Sequence, residues 1–487
     1  MKRASENFGH AIAHKFSIII DADAYYTHAR AAMIQAKKRI MLVGWDFDAR
    51  IRFGKRGDGD DGPEHVGAFI LWLTDRTPGL EIYLLRWDIG AIKSLLQPTT
   101  LWFVLRWMRD TRIFTKLDSH HPMGSSHHQK IISIDDDFAF CGGIDVTNGR
   151  LDTRAHDDDA PHRINPDGKA YMPWHDASSA MVGPVGRTMA DICRDRWHRA
   201  GGIKIAPLTK PNAVWPTALT IDFSNINVRV VQTMPQMPDQ QASCTIEKTY
   251  LSQIVSAKRH VYIESQYFCS RKIAEAILAR LKEHGGPEII VINPVKADGW
   301  LEPIAMDSAR ARIYEALKVA DHEDRLRLYH PVTVRGTPIY VHAKIMIVDS
   351  DIVRVGSSNM NNRSIRLDSE CDVFIEANGP DIKVQRAKIS TIRNDLLAEH
   401  LGCDSETVAR SFSQTGSLIA VIEELRGQGK TLRPYELPDL SDTTKWLADN
   451  EVLDPEDPNE MFEIFTKRGL FRRAWKWRPH WRRRKRA

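Results

Sequence analysis

No apolar run in this chain approaches the roughly 18 residues needed to cross a bilayer, and the mean hydropathy is -0.37. A membrane-spanning helix is therefore not expected. The six cysteines, Cys141, Cys193, Cys244, Cys269, Cys371 and Cys403, form no C-x-x-C pair, which suits neither a disulfide framework nor a zinc knuckle; reduced, buried thiols are expected. The first ten residues carry Lys2 and Arg3 but no apolar stretch, so a conventional secretory signal is not expected and the chain reads as cytoplasmic. Acidic residues are missing from one segment: Lys467 to Ala487 holds eleven Lys/Arg and no Asp or Glu, within a total net charge of +5. The first 466 residues thus carry -6. A nucleic-acid-binding protein would spread positive charge over a folded face, whereas here it sits in a terminal appendage. What remains, 487 residues with 42% hydrophobic and 27% charged content, fits a globular protein of two to three domains with a sizeable core.

The chain repeats itself. His128-Gln129-Lys130-Ile131-Ile132-Ser133-Ile134-Asp135, followed by Gly142-Gly143-Ile144-Asp145, matches His342-Ala343-Lys344-Ile345-Met346-Ile347-Val348-Asp349, followed by Gly356-Ser357-Ser358-Asn359, at a constant offset of 214. Upstream, Ala36 to Phe47 parallels Ala257 to Phe268 at an offset of 221. This is a duplicated domain, with the second copy starting in the proline-bearing stretch Pro211 to Asp239. Short apolar runs alternate with helical periodicity at Ser94 to Arg109 and Ile273 to His284, which predicts an α/β fold with a mixed sheet flanked by helices in each copy. The expected boundaries are 1-210, 211-400, a helical extension 401-466 and the basic aromatic tail 467-487. Each motif reads as a hairpin, turning at Asp135-Asp136-Asp137 and at Asp349-Ser350-Asp351.

On an extended strand, residues two apart share a face, so His128 projects with Lys130 and His342 with Lys344. Phosphoryl transfer needs positioning and positive charge on the non-bridging oxygens, which Lys130, Lys344 and Asn359 could provide without a metal. Two imidazoles supply a nucleophile and a group to protonate the leaving oxygen. Packing alone gives no reason to keep both His and both Lys.

The paired H-x-K-x(4)-D motifs with Gly142-Gly143-x-Asp145 and Gly356-Ser357-x-Asn359 resemble the phospholipase D superfamily. Gly149-Arg150-Leu151-Asp152-Thr153, Pro173-Trp174-His175-Asp176, Arg196-Trp197 and Val261 to Phe268 resemble the phospholipases D shared by bacteria and eukaryotes. The resemblance implies two copies of the fold facing each other across a pseudo-twofold axis, with one active site between them. It implies His128 as nucleophile and His342 as general acid and then base. It also implies that a carboxylate further along each half orients each histidine, Asp176 for His128 and Glu370 for His342, with Asp152 a competing partner for His128. Asp135 and Asp349 are expected to brace the hairpins. Gly143 and Asp145 depart from the commoner Gly-Ser-x-Asn pattern present at Gly356-Ser357-x-Asn359, which makes Asn359 the safer phosphate ligand. No cofactor and no metal are implied.

Three further segments look like sites. Arg426 to Thr431 ends like a phosphate loop, but Glu424 replaces the first glycine, so a polar turn between helices is expected. His156 to His162 is expected to be a solvated loop. Trp45, Tyr267 and Trp174 either line a substrate entrance or belong to the core. The expected function is hydrolysis of the distal phosphodiester of a glycerophospholipid to phosphatidic acid and a free alcohol, with transfer to other alcohols possible. A cardiolipin synthase-like phosphatidyltransferase is the alternative, and a nuclease stands below both. The expected partners are a phospholipid substrate and an anionic membrane surface, met through the tail with Phe471, Trp475, Trp477 and Trp481. No nucleic acid is expected, and the chain should be a monomer that associates peripherally with membrane, or is exported without a cleavable signal.

Overall fold

In the computed structural model, residues 9-88, 98-297 and 302-437 are described. The first half supplies strands β1 (Ala11–Ile20), β2 (Arg39–Gly44), β3 (Glu81–Trp87), β4 (Ile113–Asp118), β5 (Ile131–Ile134), β6 (Phe138–Gly142), β7 (Trp174–His175) and β8 (Ala177–Val182). The second supplies β9 (Phe223–Met234), β10 (Ser243–Cys244), β11 (His260–Glu264), β12 (Glu288–Ile292), β13 (Leu326–Val332), β14 (Tyr340–Val341), β15 (Ile345–Val348), β16 (Ile352–Gly356), β17 (Glu370–Glu376) and β18 (Thr431–Pro434). All but β7 and β14 join one sheet of 16 strands, ordered β18-β13-β12-β11-β15-β16-β17-β9-β1-β8-β6-β5-β2-β3-β4, with β10 beside β9. Outward from the antiparallel β1–β9 pair, seven strands on each side follow the same order, β1-β8-β6-β5-β2-β3-β4 and β9-β17-β16-β15-β11-β12-β13. The duplication is thus a pseudo-twofold about β1 and β9. The proline-bearing stretch that begins the second copy contains β9, one of the two central strands, so it is no mere linker.

The strand sequences explain the layers. In β2, Ile40 and Leu42 enter one core with Tyr25, Tyr26, Phe69 and Ile132, while Met41 and Val43 enter another. This period of two is what a strand covered on both faces requires. The second core also contains Ile345, Ile347, Val353 and Val355 of the other half, together with Met189 and Ile192 of the helix Pro184–Arg199 and Leu396 and Leu397 of the helix Ile382–Leu401. One face of the sheet therefore has a core common to both halves. The opposite face is covered separately in each, by Ala22–Ile34 and Val66–Arg76 in the first and by Thr245–Ser256 and Arg271–Leu281 in the second.

Both expected hairpins form, β5 with β6 and β15 with β16. Their strands begin only at Ile131 and Ile345, so each His-x-Lys lies in the segment leading into a strand rather than within it. There it stands at the C-terminal ends of β2 and β11, the edge where open α/β sheets carry their sites. The turn aspartates hold this register. Asp135 accepts hydrogen bonds from the backbone N–H groups of Lys37, Lys38 and Arg39 at 2.7–2.8 Å, and Asp349 from those of Lys258, Arg259 and His260 at 2.8–3.0 Å. Both turns need a left-handed residue, Asp135 at φ 49° and Asp349 at φ 53°, a conformation that aspartate tolerates better than most.

Beyond residue 400 the chain is not a separate helical appendage. The helix Ile382–Leu401 runs across the expected boundary, the helices Ser405–Thr415 and Leu418–Leu425 pack onto the shared core, and β18 adds an edge strand to β13. The turn at Arg426 to Lys430 accordingly leads from a helix into a strand, not between helices. All six cysteines are free, with Cys244 and Cys403 only half-buried. Among the described residues no helix is long and apolar enough to cross a membrane.

Asp349→Asn preserves the turn's backbone preference but replaces one acceptor oxygen with a donor facing main-chain N–H. We expect a loss of about 1–3 kcal/mol in urea unfolding with an unchanged denaturant slope. A loss below about 0.5 kcal/mol would show that the clamp contributes nothing.

Candidate active site

The two motifs meet, and their carboxylates are crossed. His128 Nδ1 lies 2.9 and 3.0 Å from the two Glu370 oxygens and 3.0 Å from the Ser357 carbonyl, all in the second half. His342 Nδ1 lies 2.6 Å from Asp176 Oδ2, in the first. This corrects the expectation that each histidine uses the carboxylate of its own half, and Asp152 is no partner of His128. The backbone repeats the exchange: His128 N–H donates to the Ser369 carbonyl at 2.9 Å and His342 N–H to the His175 carbonyl at 2.7 Å. The parallel β7–β14 ribbon, Trp174 beside Tyr340 and His175 beside Val341, ties the halves together next to His342. Each imidazole thereby presents Nε2.

The lysines sit differently in the two halves. Lys130 Nζ donates to the His128 carbonyl at 2.9 Å and pairs with Asp145 Oδ2 at 3.1 Å, so Asp145 neutralises it. Lys344 Nζ donates to the His342 carbonyl and stands 3.4 Å from Gln266 Oε1, which Asn359 Nδ2 also approaches at 3.4 Å. Neutral amides therefore take the place of the carboxylate. Gly143 is explained by space: a Cβ there would lie 2.3 Å from Asp176 Oδ1. At the equivalent position Ser357 uses its hydroxyl to donate to Glu370 Oε2 at 2.5 Å.

The sequence reading missed two contributors. Arg150 lies with its Cζ 4.0 Å from the centre of the Trp174 ring, and among the described residues it pairs with no carboxylate. Trp174 is buried, stacked on Tyr340 at 4.5 Å and leaning on His342 at 5.2 Å, so Arg150, Trp174 and His342 form one wall. Gln266, the equivalent of Trp45 at the 221 offset, bridges Lys344, Asn359 and the Tyr340 hydroxyl. Trp45 is half-buried and stacks on Trp87, and Tyr267 receives a hydrogen bond from Gln266. Arg150 sits inside the Gly149 to Thr153 segment, but the absence of a carboxylate partner for its guanidinium cannot be read from sequence.

Burial, reinforced by Lys130 and Lys344, holds the His128 imidazole well below the ordinary histidine range. Burial does the same to His342, with Lys344, Arg150 and Lys130 adding to it. Lys344 is brought down to about 7, chiefly by burial, with Lys130 adding and Asp176 opposing. Burial also raises the Asp176 and Glu370 carboxyls, against the pull of the lysines. A neutral His128 with Nδ1–H held by Glu370 has a free electron pair on Nε2. A phosphodiester would place its negative charge beside Lys130, Lys344 and Arg150.

The His156 to His162 segment is not simply a solvated loop. His156 is fully buried against Asp152 and Glu399, and Asp158 accepts hydrogen bonds from the second half, from Thr337 Oγ1 at 2.8 Å and Arg335 N–H at 3.0 Å. The basic aromatic tail, Lys467 to Ala487, lies outside the described residues.

Comparison with known proteins follows the geometry. Residues 250–389 match the family model described as "Cardiolipin synthase, PLD-like domain". Over 79% of this chain, phospholipase D alpha 1 of Vigna unguiculata is 23% identical, and over 80% phospholipase D1 of Saccharomyces cerevisiae is 24% identical. The chain spans 64% of the first of these and 29% of the second. The crystal structure of phosphatidylserine synthase from Haemophilus influenzae shares the fold at a TM-score of 0.55 and 13% identity, over 85% of this chain and 96% of that one. These similarities support the phospholipase D superfamily, and the chain carries two copies of the H-x-K motif.

An anion entering the site should raise the depressed pKa values of His342 and Lys344, so binding takes up protons and is tightest at low pH. Sulfate, which does not titrate in this range, is expected to bind progressively more weakly from pH 6 to pH 8, by up to about tenfold per unit for one proton. Calorimetry in buffers of different ionisation enthalpy should register the uptake. Affinity independent of both pH and buffer would contradict this electrostatic account.

Proposed function

We propose that this enzyme cleaves the distal phosphodiester of a glycerophospholipid, giving phosphatidic acid and a free headgroup alcohol through a phosphohistidine. The observation that carries this reading is the crossed pair of imidazoles, each fixed through Nδ1 and presenting Nε2, beside Lys130, Lys344 and Asn359. His128 Nε2 attacks phosphorus and the bond from phosphorus to the headgroup oxygen breaks. His342, protonated at Nε2, gives that oxygen its proton. In the second step His342 takes a proton from water, whose oxygen attacks phosphorus and releases His128. The lysines, Asn359 and Arg150 stabilise charge on the non-bridging oxygens.

A second reading, transfer to a lipid alcohol, is favoured by the match of residues 250–389 to the model named for cardiolipin synthase. It shares the first step and differs only in the acceptor. A nuclease is disfavoured by the net negative charge of the first 466 residues. The basic tail is proposed to draw the enzyme to anionic membrane.

His128→Ala and His128→Asn should abolish headgroup release in folded protein. His342→Ala should lower it by about 10²–10⁴-fold. Added short primary alcohols should divert product from phosphatidic acid to the phosphatidyl alcohol, and turnover should be faster on anionic than on neutral vesicles, an advantage lost on removing Lys467 to Ala487. Full activity in either histidine variant rules out the mechanism, and absence of phosphatidic acid until a lipid alcohol is added establishes the transferase instead.

A further inference from the structure

Bonded to the segment Trp174-His175-Asp176 that contacts His342 is a group of buried ionisable side chains that the proposed chemistry does not use. His175 is fully buried, with Nδ1 2.8 Å from Glu399 Oε1 and Nε2 2.8 Å from Glu264 Oε2. Both its ring nitrogens thus face carboxylates. His156 is placed in the same way, with Nδ1 2.9 Å from Asp152 Oδ2 and Nε2 3.1 Å from Glu399 Oε1. His400, whose ring centre lies 4.7 Å from that of His175, contacts Glu264 through Nε2 at 3.0 Å, while its Nδ1 has no partner. The residues come from five places: Asp21 at the start of the first helix, Asp152 and His156 in the first-half loop, His175 in β7, Glu264 at the end of β11, and Glu399 and His400 at the end of the helix Ile382–Leu401.

Charge balance decides the protonation. Five carboxylates take part: Asp21, Asp152, Glu264, Glu399 and, on the rim, Asp395. Arg154 and Arg163 pair with them, Lys430 stands near them with its Nζ on the Arg154 carbonyl, and His162 Nε2 lies 3.1 Å from Asp152 Oδ1. Burying carboxylates without compensating charge is strongly unfavourable. Two imidazoliums remove that deficit, and two imidazoles have carboxylates at both nitrogens. The two rings follow this balance, since burial opposes charge on His175 and His156, yet the surrounding carboxylates outweigh it and raise both, while burial keeps His400 low; burial and Glu399 push the Asp21 carboxyl up, which makes it the carboxylate least held to its charge.

This group grips the segment that holds His342. Trp174 N–H donates to Asp152 Oδ2 at 2.9 Å, and Asp176 N–H to Asp21 Oδ1 at 3.0 Å, while Asp21 N–H returns a bond to the Asp176 carbonyl at 2.8 Å. Each residue of Trp174-His175-Asp176 is tied to the network on one side. On the other, Trp174 packs on the His342 ring, the His175 carbonyl accepts the His342 N–H, and Asp176 accepts from Nδ1. His128 is held instead by Glu370 and Ser357.

We propose that His175 is a standing imidazolium that ties Glu264 of β11 to Glu399 of the helix Ile382–Leu401, and that it acts as a positioning residue for Asp176 and hence for the proton-transferring His342. The assignment of a reaction step to His342 rests on the phosphodiesterase reading; the protonation state does not.

Two measurements on the full chain test this separately. In protein labelled with ¹⁵N at histidine, one ring, assigned by its loss in His175→Asn, should keep both nitrogens protonated from pH 5 to pH 9. A His175 ring that titrates in this range, or that has one unprotonated nitrogen with a stoichiometric divalent metal in the purified protein, would overturn the proposal. Turnover is then compared on phosphatidylcholine, whose alcohol needs a proton to leave, and on a p-nitrophenyl phosphodiester, whose phenolate does not. His175→Asn and Glu399→Gln should lose about 30-fold or more on the first and less than about threefold on the second, within the range of acid catalysis. Equal losses on both substrates would make the network purely structural and overturn the positioning role. If the unaltered enzyme turns over neither substrate, the phosphodiesterase reading fails while the nuclear resonance result still decides the imidazolium.

Discussion

The imidazole of each H-x-K motif takes its orientation from a carboxylate of the opposite half, and the remaining architecture keeps those two bonds short. Glu370 reaches His128 and Asp176 reaches His342 only because the β1–β9 pair runs one sheet through both halves. The core shared by Met41, Val43, Ile345 and Ile347 fixes the distance between them. Neither half supplies the carboxylate for its own motif histidine, so duplication alone would not yield this arrangement; the two copies have to be fused or docked about this axis.

Symmetry of the backbone coexists with asymmetry of the chemistry. Lys130 has the carboxylate of Asp145 beside it, whereas Lys344 has the neutral Gln266 and Asn359. The less compensated cation therefore lies next to His342, where Arg150 adds to it, and the local field there opposes protonation until an anion arrives. This division follows from substitutions at equivalent positions, Asp145 for Asn359, Gly143 for Ser357 and Trp45 for Gln266. It fits the proposed nucleophile on one side and the proposed proton carrier on the other.

Much of this was legible in the sequence, for identifiable reasons. The constant 214-residue offset exposed the duplication, and alternating apolar runs gave the mixed α/β class. The turn aspartates were readable because Asp-rich segments between apolar strands have few other places to be, and Asp135 and Asp349 do clamp the neighbouring strands. The crossing of Asp176 and Glu370 was not legible, since an offset along the chain carries no information on which side of the axis a side chain ends. His156 was misread because five polar neighbours, Asp157, Asp158, Asp159, His162 and Arg163, suggest water. Their contacts instead close over the ring, with Arg163 bonded to Asp152 and Asp158 fastened to the second half. The strand β18 escaped notice because its four residues Thr431–Pro434 have no apolar alternation and pair only at an edge.

The central claim is the crossing itself, and the Nδ1–H proton of each motif histidine reports it directly. In ¹⁵N-histidine-labelled protein, Glu370→Gln should shift the Nδ1–H resonance of His128 and leave that of His342 in place, while Asp176→Asn should do the reverse. A His128 resonance that moves with Asp176→Asn and ignores Glu370→Gln would contradict the account.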